Sequence, residues 1–291
     1  MCVKGTRDAL LGCKDHAAPV PRISRRQLLG AGLATTVAAV VPTVVSARPA
    51  AAGKVPARRI ADLTHTFGVD VPTYRPEKPH RETMEEFPEQ PEGEFGFYNQ
   101  RWTFTEHVGT HMDAPGHVIG GGRRSPEMAP RELIAPAVVI NIRDKAEEDP
   151  NAVVEVADVV AFERGHGRIR SGAAVLMDSG WAERWDDGDL AYRGTQTLDE
   201  FPFNFPGWSA EAIAFLVEQR NIVGVGVDTL STDPGNSTDF PAHEVLGRAD
   251  RWGLENLTNL DQFPPRGTTI FVGLVPWEEG SGGPARVMAV W

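Results

Sequence analysis

Short apolar runs alternate with longer stretches of mixed character along the second half of the chain. Ala137-Val138-Val139-Ile140-Asn141-Ile142 reads as a buried strand, Val156 to Arg164 as a helix and Ala173 to Met177 as another strand. Ser209 to Gln219 has helical spacing, with Ser209 as N-cap and Glu211 in the first turn. Ile222 to Val227 then predicts a strand ending at Asp228, and Thr269 to Leu274 a late one. The order predicts an α/β fold, with no internal repeat or long low-complexity tract. Upstream, Arg101-Trp102-Thr103-Phe104-Thr105-Glu106-His107 alternates bulky apolar with polar residues, a half-buried strand pattern. Pro76 to Gly96, rich in Pro, Glu and Gly, reads as an excursion or lid before that strand.

The strand pattern leads into the densest chemistry of the chain. His107, His111, Asp113 and His117 fall within eleven residues. His107 and His111 have the spacing of two ligands on one helical face. Gly109, the β-branched Val108 and Thr110, and Ala114-Pro115 argue against a helix there. An extended chain instead puts His107, Gly109, His111 and Asp113 on one side. Ala114-Pro115-Gly116-His117 fits a type II turn that swings His117 back toward them. A lone histidine is more often a satisfied core or surface residue. Three histidines and an aspartate together are costly to bury unless paired or metal-bound. Imidazole and carboxylate suit zinc, manganese and similar divalent ions.

The run HVGTHMDAPGH resembles the HxGTHxDxPxH signature of the cyclase-like family of metal-dependent hydrolases, which includes bacterial kynurenine formamidase and isatin hydrolase. Other segments resemble the family in the right order. They are Asp62-Leu63-Thr64, Val175 to Trp181, Val225-Gly226-Val227-Asp228-Thr229, His243 with Glu255-Asn256-Leu257, and Gly283 to Val287. Asp178 and Ser179 before Gly180-Trp181 depart from the usual pattern. The resemblance implies a single domain with a swivelling β/β/α-type core, usually assembled as homodimers or homotetramers. It implies His107, His111 and Asp113 as ligands of one divalent ion, Zn²⁺ or Mn²⁺. Asp113 would bridge to a second ion held by His243 and Glu255, and members differ in holding one or two. His117 is implied as the general acid/base. Without the resemblance, His243 after Pro241-Ala242 reads as a surface or helix-start residue and Glu255 as a cap or ion-pair partner.

The implied chemistry is hydrolysis of a C–N amide bond. An ion with an open position lowers the pKa of bound water to about 7 and polarises a carbonyl, while a histidine moves the proton. A small aryl formamide, as in kynurenine formamidase, is the leading substrate class, and an isatin-like lactam the alternative. A non-catalytic metal- or ligand-binding protein on the same scaffold is the competing class, for which an acid/base histidine has no use. Trp102, Phe104, Phe67, Tyr74, Phe95, Phe97 and Trp181 are candidate pocket walls, although aromatics are more often core. Ser179 lacks the G-x-S-x-G context of a nucleophile elbow.

Composition narrows the classes further. Hydrophobic and charged fractions of 41% and 24% are ordinary for a globular enzyme. Residues 1–47 hold six Lys/Arg against two Asp/Glu, so the rest of the chain carries −15 against −11 for the whole. Such acidity argues against nucleic-acid partners. Ser24-Arg25-Arg26-Gln27-Leu28-Leu29 opens a moderately apolar run to Val45 and resembles a twin-arginine export signal spanning 1–47. Val45-Ser46-Ala47 fits its cleavage site, with Ala50-Ala51-Ala52 as competitor. The hydrolase domain would then span 58–291. Gly30, Gly32, Thr35, Thr36 and Pro42 make the run weak for a permanent membrane span. Both cysteines, Cys2 and Cys13, precede it, so the exported protein needs no disulfide. The expectation is export of a folded, metal-loaded enzyme to the periplasm or beyond; passage of the unfolded apo chain through the Sec route would contradict it.

Overall fold

The computed structural model describes residues 59–291. The segments expected to be an export signal and its cleavage site lie outside the described residues. In chain order the strands are β1 (Ile60–Asp62), β2 (His80–Thr83), β3 (Gln100–Thr103), β4 (His111–Asp113), β5 (Ile134–Asn141), β6 (Val153–Val154), β7 (Ala174–Asp178), β8 (Gly207–Trp208), β9 (Gly224–Gly226), β10 (Trp252–Glu255), β11 (Arg266–Leu274) and β12 (Gly282–Val290). The helices are α1 (Arg143–Glu148), α2 (Val156–His166), α3 (Gly188–Arg193), α4 (Ala210–Arg220) and α5 (Pro241–Arg248).

Seven strands close into a barrel in the order β12-β11-β5-β7-β9-β10-β4, with β4 returning to β12. β12 is long enough to take two partners along one edge: β4 at Gly282–Pro284 and β1 at Met288–Val290. Strands β5, β7 and β9 run parallel, and β11, β12 and β4 close the ring antiparallel. The parallel part is apolar on both faces, as expected where helices cover the outside. Ala137 and Val139, with Ala174 and Leu176, point inward to pack with Leu254, Ile270 and Val287. Their neighbours Val138, Ile140, Val175 and Met177 point outward against Val159 and Phe162 of α2 and Ile213 and Leu216 of α4. The period-2 alternation therefore builds two cores from one set of strands. The result is the mixed α/β single-domain fold that the sequence predicts.

Predicted elements recur with ends shifted by a few residues. The Ser209 hydroxyl caps α4 by accepting from the Ala212 amide at 3.1 Å. The predicted strand over 101–107 is shorter: β3 stops at Thr103 and pairs with β2 from the Pro/Glu/Gly-rich excursion. A third core of Val108, Trp181, Trp185, Tyr192, Phe203 and Phe205 fixes the loops beside the barrel mouth. Trp181 is part of that core, its indole N–H donating to the Tyr192 carbonyl at 2.7 Å, and the cavity it borders, with Ala146, Arg184 and Asn204, holds none of the clustered histidines. Phe95 and Phe97 stand exposed on the excursion. Asp178 does not reach the mouth either; its carboxylate accepts from Arg143 at 3.0 Å. The neighbouring Ser179-Gly180-Trp181 turn is held by buried Asp228, which accepts from the Ser179 hydroxyl and the Trp181 amide.

Candidate metal centre

β4 is only three residues long, fully buried and clasped on both edges. Register places Glu255 of β10 opposite His111, and Gly253 opposite Asp113. On the other edge Pro284 and Gly282 of β12 face the same two residues. His111 and Asp113 are two apart and so share a face, and directly paired Glu255 joins them on it. The sheet register alone therefore brings two carboxylates and an imidazole together.

His107 reaches the same place by another route. The chain is not extended from 107 to 113, because Gly109 adopts φ +66° and kinks it. A side chain at 109 would also collide with the Phe67 ring at 2.8 Å. The kink aims the Gly109 carbonyl back at His111, whose Nδ1 donates to it at 2.9 Å; Asn256 Nδ2 donates to it at 2.8 Å. The predicted type II turn is also replaced. Pro115–His117 is one turn of 3-10 helix, with the His117 amide donating to Ala114 and the Ile119 amide to Pro115. Those consecutive bonds need Gly116 in the right-handed region, and its φ is not positive. His117 still swings back, its ring centroid 3.7 Å from that of His107 and 6.1 Å from that of His243.

His243 lies in the first turn of α5, two residues after the N1 proline. Asp233 fixes it there: its carboxylate accepts from the amides of Ala242 (2.7 Å) and His243 (3.1 Å) and from His243 Nδ1 (2.6 Å). One buried carboxylate thus caps the helix and orients the imidazole, a common outer partner of metal-binding histidines. Sequence reasoning missed Asp233. An acid set before a Pro-led helix start that carries a histidine was the available signal.

The facing atoms fit a metal ion. His111 Nε2 lies 3.4 Å from Asp113 Oδ1 and 3.3 Å from Glu255 Oε2, and it is buried with no hydrogen-bond partner. His243 Nε2 lies 3.4 Å from Asp113 Oδ2 and 3.2 Å from Glu255 Oε1. Such spacings are long for hydrogen bonds, yet two ligands each about 2.1 Å from a tetrahedral ion stand roughly 3.4 Å apart. Asp113 and Glu255 each turn one oxygen toward His111 and the other toward His243, the arrangement that two neighbouring ions would share. His107 Nδ1 meets Asp113 Oδ1 at 2.5 Å. His107, His111 and Asp113 form one group able to hold an ion, and Asp113, His117 and His243 a second. Every residue implied by the resemblance is therefore at one mouth of the barrel.

Comparison with known proteins agrees with this geometry. The family model described as "Putative cyclase" matches residues 61–234, more than half of the chain. The chain belongs to the cyclase family. Among its relatives, isatin hydrolase of Roseibium aggregatum is 34% identical over 203 residues, covering 67% of this chain and 75% of that protein. Kynurenine formamidase of Geobacillus thermodenitrificans is 25% identical over 184 residues, covering 63% and 76%. The solved isatin hydrolase A of Ralstonia solanacearum superposes with TM-score 0.74 at 33% identity, covering 87% of this chain and 99% of that one.

The electrostatics of this cyclase-family site favour protons where an ion would sit. Burial opposes charge on His111, but the carboxylates of Asp113 and Glu255 outweigh it and push the imidazole up to about 10. His243 is raised well above the imidazole range for the same reason, against its own burial, by Asp113, Asp233 and Glu255. Burial works against ionised Asp113 too, yet the surrounding histidines hold it well below the usual carboxylate range. The metal-free cluster therefore carries imidazolium protons near neutral pH that an ion must displace. Zn²⁺ or Mn²⁺ affinity should rise as pH increases from about 6 to 9, by up to about tenfold per unit for each proton displaced. Calorimetric titration in buffers of differing ionisation enthalpy should show protons released. An affinity flat across that range would contradict this charge assignment.

Proposed function

We propose that this chain is a divalent-metal-dependent hydrolase that cleaves the C–N bond of a small aromatic amide. The observation that carries the reading is the accessible His117 ring set against buried His111, Asp113 and Glu255, with half-buried His107 and His243 beside them. Zn²⁺ or Mn²⁺, held by His107, His111, Asp113, Glu255 and His243, would supply Lewis acidity toward a carbonyl and acidify water.

The residues of the chain do the rest. Crowding by the surrounding protein is the largest influence on His117 and lowers it below the ordinary imidazole range, with His107 and His243 adding to this against the pull of Asp113. His117 is thus neutral at pH 7 and free to accept a proton. It takes one from the attacking water and returns it to the nitrogen as the C–N bond breaks, leaving an amine and a carboxylic acid that releases its proton to solvent. Water rather than the protein is the nucleophile. Ser179, the one serine weighed for that role, donates its hydroxyl to buried Asp228 at 2.6 Å.

Two groups of aromatic side chains border the cluster. Phe240 packs edge-on to His243 at 6.0 Å and lies against Tyr74, while Phe67, beside Gly109, packs on Phe104, and Phe104 on Trp277. Both support an aromatic substrate. A cyclic lactam of isatin type is the first substrate to test, since the isatin hydrolase relative shares more residues with this chain than the kynurenine formamidase does. An aryl formamide needs the same bond cleavage without the ring, and the formamidase relatives support it.

Chain loaded with Mn²⁺ or Zn²⁺ should open isatin or deformylate N-formylkynurenine. His117→Asn should keep the metal and lose about 10²–10⁴-fold in rate. His111→Ala should lose both metal and turnover. Parental turnover by His117→Asn would overturn the acid/base role, and bound metal with no turnover of either compound would favour a binding protein.

A further inference from the structure

The outer contacts of the three cluster histidines differ, and the difference decides which ring nitrogen each can offer. His111 Nδ1 donates to the Gly109 carbonyl and His243 Nδ1 donates to Asp233, so both present Nε2. His107 has the opposite arrangement. Its Nε2 meets the Ser281 hydroxyl at 2.8 Å, and its Nδ1 faces Asp113.

The direction of the Ser281 contact follows from Glu106. Glu106 Oε2 accepts from the Ser281 amide at 2.9 Å and from the Ser281 hydroxyl at 2.6 Å. A serine hydroxyl has one proton. Once that proton is given to Glu106, only lone pairs remain for His107, whose Nε2 must then bear hydrogen. Backbone geometry fixes the relay in place: the Ala114 amide donates to the Ser281 carbonyl at 3.0 Å, tying this residue to the end of β4. Gly282 completes the slot, because a Cβ there would stand 2.7 Å from His107 Cε1.

We propose that Glu106 and Ser281 are positioning residues that hold His107 as its Nε2–H tautomer and so select Nδ1 as its metal-binding atom. The proposal rests on the metal-centre reading above. Its consequence is a cluster in which two histidines bind through Nε2 and one through Nδ1. The Glu106–Ser281 pair also strengthens the His107 ligand by drawing on its far nitrogen, the effect that outer carboxylate partners exert on metal-bound imidazole.

The test uses the full chain with Co²⁺ as an absorbing probe and nitrogen NMR of the histidine rings in the Zn²⁺-loaded protein. The expected results are hydrogen on Nε2 of His107 and about a 10- to 100-fold weaker Co²⁺ affinity in Ser281→Ala. An altered Co²⁺ visible spectrum should accompany that loss, and Ser281→Thr, which keeps the hydroxyl, should restore both. Glu106→Gln, at a partly exposed site, reads the same effect should Ser281→Ala disturb folding. Hydrogen on Nδ1 of His107, or parental affinity and spectrum in both Ser281→Ala and Glu106→Gln, would overturn the proposal alone. A parent chain that binds no Co²⁺ would overturn the metal-centre reading and this inference with it.

Discussion

The barrel closes through β4, and that closure builds the site. A three-residue strand has little pairing energy of its own, so it is defined by β10 on one edge and β12 on the other. Because both edges are paired, His111 and Asp113 cannot slip in register without breaking the ring. A slip of one residue would turn both side chains to the opposite face. The same pairing sets Glu255 opposite His111 and clears space beside Asp113 with Gly253 and Gly282.

Around this strand, each imidazole is aimed by a contact at its far nitrogen: a kinked backbone carbonyl for His111, a helix-capping carboxylate for His243, a serine–glutamate pair for His107. The charge balance follows from the same packing. Two buried carboxylates draw protons onto the imidazoles of buried His111 and half-buried His243, and a divalent cation would satisfy those groups without leaving either carboxylate unpaired. His117 stands at the rim, where packing keeps its ring neutral. The exposed His117 and the buried His111, Asp113 and Glu255 are thus separated by depth within one cluster.

Much of this was legible in the sequence, for identifiable reasons. Strands β5, β7 and β9 are continuous apolar runs because helices cover them, and α4 announces itself through Ser209. His107, His111, Asp113 and His117 were visible because they are close in sequence. His243 and Glu255 were found through resemblance only, since β10 and α5 reach the mouth by pairing over long separations that no local pattern encodes. The path from His107 to His111 differs from the one the sequence pattern predicts. Alternation implied an extended chain, but the positive φ of Gly109 lets His107 approach from a bend. Asp233, Ser281 and Glu106 escaped notice because their roles depend on tertiary neighbours.

The central claim is that the cluster between β4, β10 and α5 holds a divalent ion. Anomalous diffraction from crystals of the Mn²⁺- or Zn²⁺-loaded protein tests it most directly. The account predicts an anomalous peak bounded by His111 Nε2, Asp113 and Glu255, with room for a second toward His243. An active, metal-loaded enzyme with its ion bound elsewhere and this cluster vacant would contradict it.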